Sequence, residues 1–306
     1  MAERPTSPSP LIFDRALLRL RRHRALALGP ATFLLDRVAD DLADRLQAVL
    51  RSFPLVLDLG TPGPAVRNVL ARLPAIGAVV AAGDSLVEAR AAHAAAVAAD
   101  QEALPFGEAV FDLVVSALAL QFANDLPGTL LQIRRALKPD GFFIAALIGG
   151  ETLTELRQAF AAAESEIEGG LSPRVAPFAD LRDIGALLQR AGFALPVTDV
   201  ERFVVRYDSA LALMHDLRRM GATNVLVDRR RTPLKRATLL RLAEIYAERF
   251  ADGNGRVRAT FDIVWLSGWA PHPNQQQPLK PGSARTRLAD ALGAREISAG
   301  EKVERN

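Results

Sequence analysis

Val56-Leu57-Asp58-Leu59-Gly60-Thr61-Pro62-Gly63-Pro64 decides the fold. An apolar run closing on Asp-x-Gly reads as a strand buried on both faces that turns sharply at its carboxyl end. In a doubly wound sheet ligands bind beyond that end, and glycine there lets the backbone approach them closely. Outward from this strand, short apolar runs alternate with helical stretches, the pattern of a parallel sheet wrapped by helices. Residues 65–73 read as a helix and 76–82 as the second strand. A helix from 85 to about 95 then leads to a short third strand ending at Asp100. Residues 110–116 read as the fourth strand. A helix from about 127 to 137 stops at Lys138-Pro139-Asp140-Gly141, where proline and glycine punctuate it. Residues 141–148 form the apolar fifth strand. Helices follow at about 152–167, 178–191, 209–221 and 233–250, with strand-like alternation at 194–207 and 256–268.

Composition excludes several function classes. The chain has 306 residues, 49% of them hydrophobic and 24% charged, which fits a globular fold and not a disordered one. It has no cysteine, so disulfides, thiolate nucleophiles and iron–sulfur ligation are excluded. His23, His93, His215 and His272 lie far apart in sequence, and no metal site is expected. The net charge is only +3, and two Trp and two Tyr give no stacking platform beside the arginine clusters, so no nucleic-acid partner is expected. The longest apolar stretches fall at about half of the ~20 residues that a bilayer span needs, so no transmembrane segment is expected. An arginine-dense helix carrying Arg15, Arg19, Arg21, Arg22 and Arg24 opens the chain. It reads as a solvated basic helix, with a targeting segment, peripheral membrane association or partner docking as the alternatives. A cytoplasmic location is the expectation.

Four further features flank the Asp-x-Gly strand in order: Asp84 after the second strand, Asp100 after the third, Phe111-Asp112-Leu113-Val114-Val115, and Leu137-Lys138-Pro139-Asp140-Gly141. Together they resemble a class I S-adenosylmethionine-dependent methyltransferase domain. The resemblance narrows at Ile12-Phe13-Asp14-Arg15, at residues 116–127, at Gly149-Gly150-Glu151-Thr152-Leu153-Thr154, at Glu168-Gly169-Gly170-Leu171-Ser172-Pro173 and at residues 213–224. These segments are similar to the complex I assembly-factor family and its bacterial relatives. That resemblance implies a methyltransferase fold assigned to hydroxylating an arginine of an iron–sulfur subunit of respiratory complex I. A cousin branch, the malonyl-carrier-protein methyltransferase of biotin synthesis, leaves small-molecule O-methylation as an alternative, and a non-catalytic assembly factor is another. The implied architecture is α/β, a doubly wound seven-stranded sheet with a helical cap. Its parts are an N-terminal helical segment (1–52), a methyltransferase-like nucleotide-binding core (53–150), a cap with the last two strands of the same sheet (151–270) and a loose tail (271–306).

The resemblance places an S-adenosylmethionine site on Asp58, Gly60, Gly63, Asp84, Asp100 and Gln121. Each has a plainer reading: a tight turn for the glycines, an acid at a helix start for Asp84, a loop acid for Asp100. The family's glycine-rich loop is altered, because Pro62 and Pro64 stand at two glycine positions. Proline fixes φ near −65° and removes an amide donor, so weak cofactor binding is expected. The acid after the second strand is also one residue late, with Gly83 at the usual ribose position. No catalytic residue can be assigned; Glu151, leaving the fifth strand at the ligand edge, is the candidate, with Asp208 and Asp216 as further carboxylates for a substrate guanidinium.

Overall fold

The computed structural model describes residues 11–92, 95–275, 290 and 293. Most of the tail expected to be loose, and the first ten residues, lie outside the described residues. The residues up to Pro271 make one compact unit; those from His272 onward make a second.

Seven strands form one sheet in the order β3-β2-β1-β4-β5-β7-β6. They are β1 (Phe53–Leu59), β2 (Ile76–Gly83), β3 (Ala95–Ala98), β4 (Phe111–Ala117), β5 (Leu137–Gly149), β6 (Ala194–Tyr207) and β7 (Val257–Trp269). The first five pair in parallel, and β7 runs antiparallel between β5 and β6. Parallel strands need both faces covered. Accordingly Val56, Leu113, Val115 and Ile144 face one core cluster and Leu57, Leu59, Val114 and Phe143 the other. The helices are α1 (Arg15–Ala27), α2 (Phe33–Gln47), α3 (Ala65–Leu70), α4 (Leu86–Ala92), α5 (Leu126–Ala136), α6 (Thr154–Glu168), α7 (Leu181–Arg190), α8 (Ala210–Arg219) and α9 (Arg236–Phe250).

Two expectations need correction. The helix expected to reach about residue 95 ends at Ala92, and β3 begins at Ala95, three residues later. Alanine suits a helix by propensity, yet Ala95, Ala96, Val97 and Ala98 pair with Val80 to Gly83 of β2, so tertiary pairing overrides local preference. Lys138-Pro139-Asp140 is not a break before the fifth strand but lies within β5. There Asp140 takes a left-handed φ of 63° and donates its N–H to the Ala270 carbonyl, so the irregular stretch is held by the chain leaving β7.

The N-terminal segment is built around α1. Asp14 caps it, its carboxylate accepting the Leu17 N–H at 2.9 Å. Leu18, Arg22 and Ala25 are buried at i, i+4 and i+7, one helical face. Just before the helix, the Asp14 N–H donates to Val225 O and the Val227 N–H to Ile12 O, a short antiparallel bridge onto the segment after α8. Phe13, Leu18, Val225 and Leu226 form a small core of their own. The N-terminal segment thus packs against the segment after α8, about 210 positions later in the chain.

Candidate cofactor and substrate site

β1 ends in a left-handed turn: Gly60 has φ 72° and Gly63 φ 75°. At Gly60 an added Cβ would displace the end of the Gln101 side chain and lie a tight 3.1 Å from the Ala119 Cβ, in addition to the cost of its φ. At Gly63 nothing lies within 4 Å, so only its φ requires glycine. Pro64 directly precedes α3 and accepts the Asn68 N–H, so its missing donor costs the helix nothing. The Ser116 hydroxyl donates to Leu59 O at 2.7 Å and the Thr61 hydroxyl accepts the Ala117 N–H at 3.0 Å, which locks the ends of β1 and β4 together.

Among the expected residues, Asp84 and Asp100 are brought together, and the group joining them is Arg15. Its Nη2 lies 2.9 Å from Asp84 Oδ1, while Nη1 lies 2.5 Å from Asp100 Oδ1 and 3.3 Å from Glu102 Oε2. Burial works against the Arg15 charge, but the hydrogen bond to Asp100 and the field of Asp84 outweigh it and raise its pKa. Burial likewise pushes Asp100 up; the Glu102 N–H and the Arg15 guanidinium overcome that and hold it below its ordinary value. The Asp84 side chain is 2% exposed, and its Oδ2 is buried without a hydrogen-bond partner among the described residues. Buried carboxylate oxygens are normally satisfied, so this one is able to accept a further hydrogen bond.

Asp58 is buried in the middle strand of the parallel group, level with Ala81 of β2 and Val115 of β4. Gln121 sits in a 3-10 turn (Leu120–Phe122) after β4 and donates through Nε2 to Leu118 O at 2.8 Å; its Oε1 is buried and lacks a partner among the described residues. Leu118 itself has φ 51°. A non-glycine residue held there is strained, as residues at binding sites often are. Glu151 is exposed; its N–H donates to Asp262 Oδ2 at 3.0 Å and its carbonyl accepts the Thr154 N–H at 3.1 Å. This candidate carboxylate thus faces solvent just past the end of β5. Asp208 is 91% exposed, and Asp216 pairs with Arg219.

Sequence reasoning missed Arg15, Glu102, Gln101 and Asn124 as parts of this edge. Asn124 accepts the N–H groups of Ile12 and Phe13 at 2.9 and 2.8 Å, and its own N–H donates to Glu102 Oε1 at 2.5 Å. Phe13 meets Phe122 edge-to-face with ring centroids 5.7 Å apart. The usable signal was the presence of Ile12-Phe13-Asp14-Arg15 and Asn124 within the family-like segments; their convergence is long-range and invisible to local pattern.

The sheet order, the reversed β7, the glycine turn after β1 and the acids after β2 and β3 define a class I S-adenosylmethionine-dependent methyltransferase fold. The family description "Methyltransferase domain" matches residues 57–145. The crystal structure of the BH2331 protein of Bacillus halodurans C-125 superposes with a TM-score of 0.52 at 20% identity, covering 76% of this chain and all of that one, and shows the same fold. Within that class the chain belongs to the family of the arginine-hydroxylase NDUFAF5. It is 40% identical over 286 residues to mitochondrial NDUFAF5 of Danio rerio, covering 91% of this chain and 89% of the relative. The human protein of that name is 41% identical over 91% of this chain and 83% of its own length. A malonyl-[acyl-carrier protein] O-methyltransferase of Laribacter hongkongensis is 35% identical, covering 88% of this chain and 94% of the relative. Among the described residues no helix is long and apolar enough to cross a membrane.

Proposed function

We propose that the chain is a protein-arginine hydroxylase acting on a subunit of respiratory complex I during its assembly. The observation that carries this reading is the 40% identity to an arginine-hydroxylase along nearly the whole of both chains.

The cofactor reading is S-adenosylmethionine at the carboxyl edge of β1, β2 and β3. The residues fit such a group. Asp84 offers an unsatisfied buried oxygen for a ribose hydroxyl, Asp100 a second carboxylate, and Gly60 and Gly63 a backbone without side chains. When bound, this cofactor supplies an adenosine and an electrophilic methyl group on a sulfonium. The chain's own residues would bind and orient it: Asp84 would accept from a ribose hydroxyl, and the glycines of the β1 turn would let the backbone come close. Pro62 and Pro64 withhold two amide donors, so affinity is set by the acids more than by the loop. Gln101, lying over Gly60, must swing aside for a ligand to use that turn.

The substrate reading is an extended protein segment presenting an arginine at the same edge. Glu151, exposed at the end of β5, is the candidate carboxylate for its guanidinium. The test is deletion of the gene in its own host. Loss of assembled complex I with growth independent of biotin supports the hydroxylase; biotin auxotrophy with normal complex I would establish the carrier-protein methyltransferase reading instead, which the 35% identity to that enzyme makes the specific competitor.

A further inference from the structure

Arg15 is the first residue of α1, yet its guanidinium reaches the ends of β2 and β3. It is 13% exposed, and it takes one oxygen of Asp84 and one of Asp100. Asp84 Oδ2 is left buried and unpartnered. An arginine fork is suited to this division, because its planar donors fix two acceptors in a set geometry. The backbone just ahead of Arg15 is fastened by Asn124 and by Val225 and Val227, so the guanidinium arrives on an anchored arm.

We propose that Arg15 is a positioning residue of the nucleoside site: by holding one oxygen of Asp84 and one of Asp100 it presents the remaining Asp84 oxygen to a ribose hydroxyl, and it makes the N-terminal strap a wall of the site. The proposal rests on the S-adenosylmethionine reading above. Arg15 touches no reacting atom; it acts through the acids. Without it, Asp84 loses the guanidinium that fixes one of its oxygens and is free to turn away. Binding of a nucleoside therefore tightens the strap, since ribose and Arg15 share Asp84.

The test is calorimetry of the full chain with S-adenosylhomocysteine and with its 2′,3′-dideoxy form, for the wild type, Arg15→Lys and Arg15→Gln. Arg15→Gln should weaken binding of the hydroxylated ligand by roughly ten- to a hundredfold, the scale of one hydrogen bond to a charged group. Arg15→Lys should recover part of that loss. Removing the ribose hydroxyls should weaken binding to the wild type and change nothing further in Arg15→Gln, which a purely structural arginine would not produce. In the wild type, ligand should also slow amide exchange at residues 13–18 and 225–227, a readout that stands even if Arg15→Gln fails to fold. Equal losses for both ligand forms, or unchanged exchange in the strap, would overturn the proposal alone. No binding of S-adenosylhomocysteine or S-adenosylmethionine by the wild type would overturn the cofactor reading, and this proposal with it.

Discussion

Gly60 and Gly63 adopt the same left-handed conformation for different reasons, and the difference can be measured. Alanine at either position pays the cost of positive φ, about 1–2 kcal/mol. At Gly60 the new methyl also meets the buried Gln101 amide and the Ala119 methyl, whereas at Gly63 it points into open space. Urea unfolding should therefore show Gly60→Ala clearly more destabilised than Gly63→Ala. Adding Gln101→Ala should bring Gly60→Ala back toward the Gly63→Ala value, and equal losses in the two single variants would show that Gln101 yields freely. Glu151 follows the opposite logic. Exposed ion pairs contribute at most about 1 kcal/mol, so Glu151→Ala should raise KM for a substrate peptide by no more than about fivefold, with the melting temperature unchanged. A loss of several hundredfold would mean that substrate binding buries this carboxylate. Asp84 and Asp100 were legible in the sequence because acids after strands two and three follow from strand counting. Arg15 was not, since it pairs with residues 69 and 85 positions away.

At the scale of elements, the junction of α6 with α9 is held by a carboxylate. Glu168 accepts from the Thr238 hydroxyl at 2.7 Å and pairs with Arg230 and Lys235, and these contacts, the Thr238 bond first, hold its pKa down at about 2 against an ordinary 4.5. A carboxyl depressed in the folded state contributes stability that is present above 4.5 and is lost as pH falls from there toward 2. Thermal melting of Glu168→Gln should accordingly lie below wild type at neutral pH, with the gap narrowing between pH 4.5 and pH 3; a gap independent of pH would assign the effect to packing. The elements themselves were read unevenly. β6 was legible over its full length because an edge strand is half exposed and alternates. The boundary between α4 and β3 was not, because the alanines of residues 91–98 carry no period and only pairing with β2 decides them. β5 was misread at its start because Pro139 and Gly141 read as a turn, whereas the chain leaving β7 bonds to Asp140 and Gly141 and keeps this irregular stretch within the strand.

For the whole molecule, the position of β7 matters most. It lies between β5 and β6, so residues far beyond 150 complete a sheet begun at 53. Stripping them would bare the edge of β5 and the apolar faces of Phe143 and Ile144. Limited proteolysis should trim the ends and leave one core running from about the start of α1 to the end of β7, and early release of a stable 1–150 fragment would contradict a single cooperative unit. α1 belongs to that core, because its first residue pairs with Asp84 and Asp100 at the ends of β2 and β3 and its approach pairs with the segment after α8. The central claim of the proposed function is that this chain hydroxylates an arginine of complex I, and that the nucleoside site is required for it. Mass spectrometry of complex I subunits tests it most directly, in the host lacking the gene and in the same host restored with the wild type or with Asp84→Asn. The account predicts one arginine-containing peptide lighter by a single oxygen in the deletion, returned to full mass by the wild type and not by Asp84→Asn. Identical peptide masses in all of these strains would contradict it.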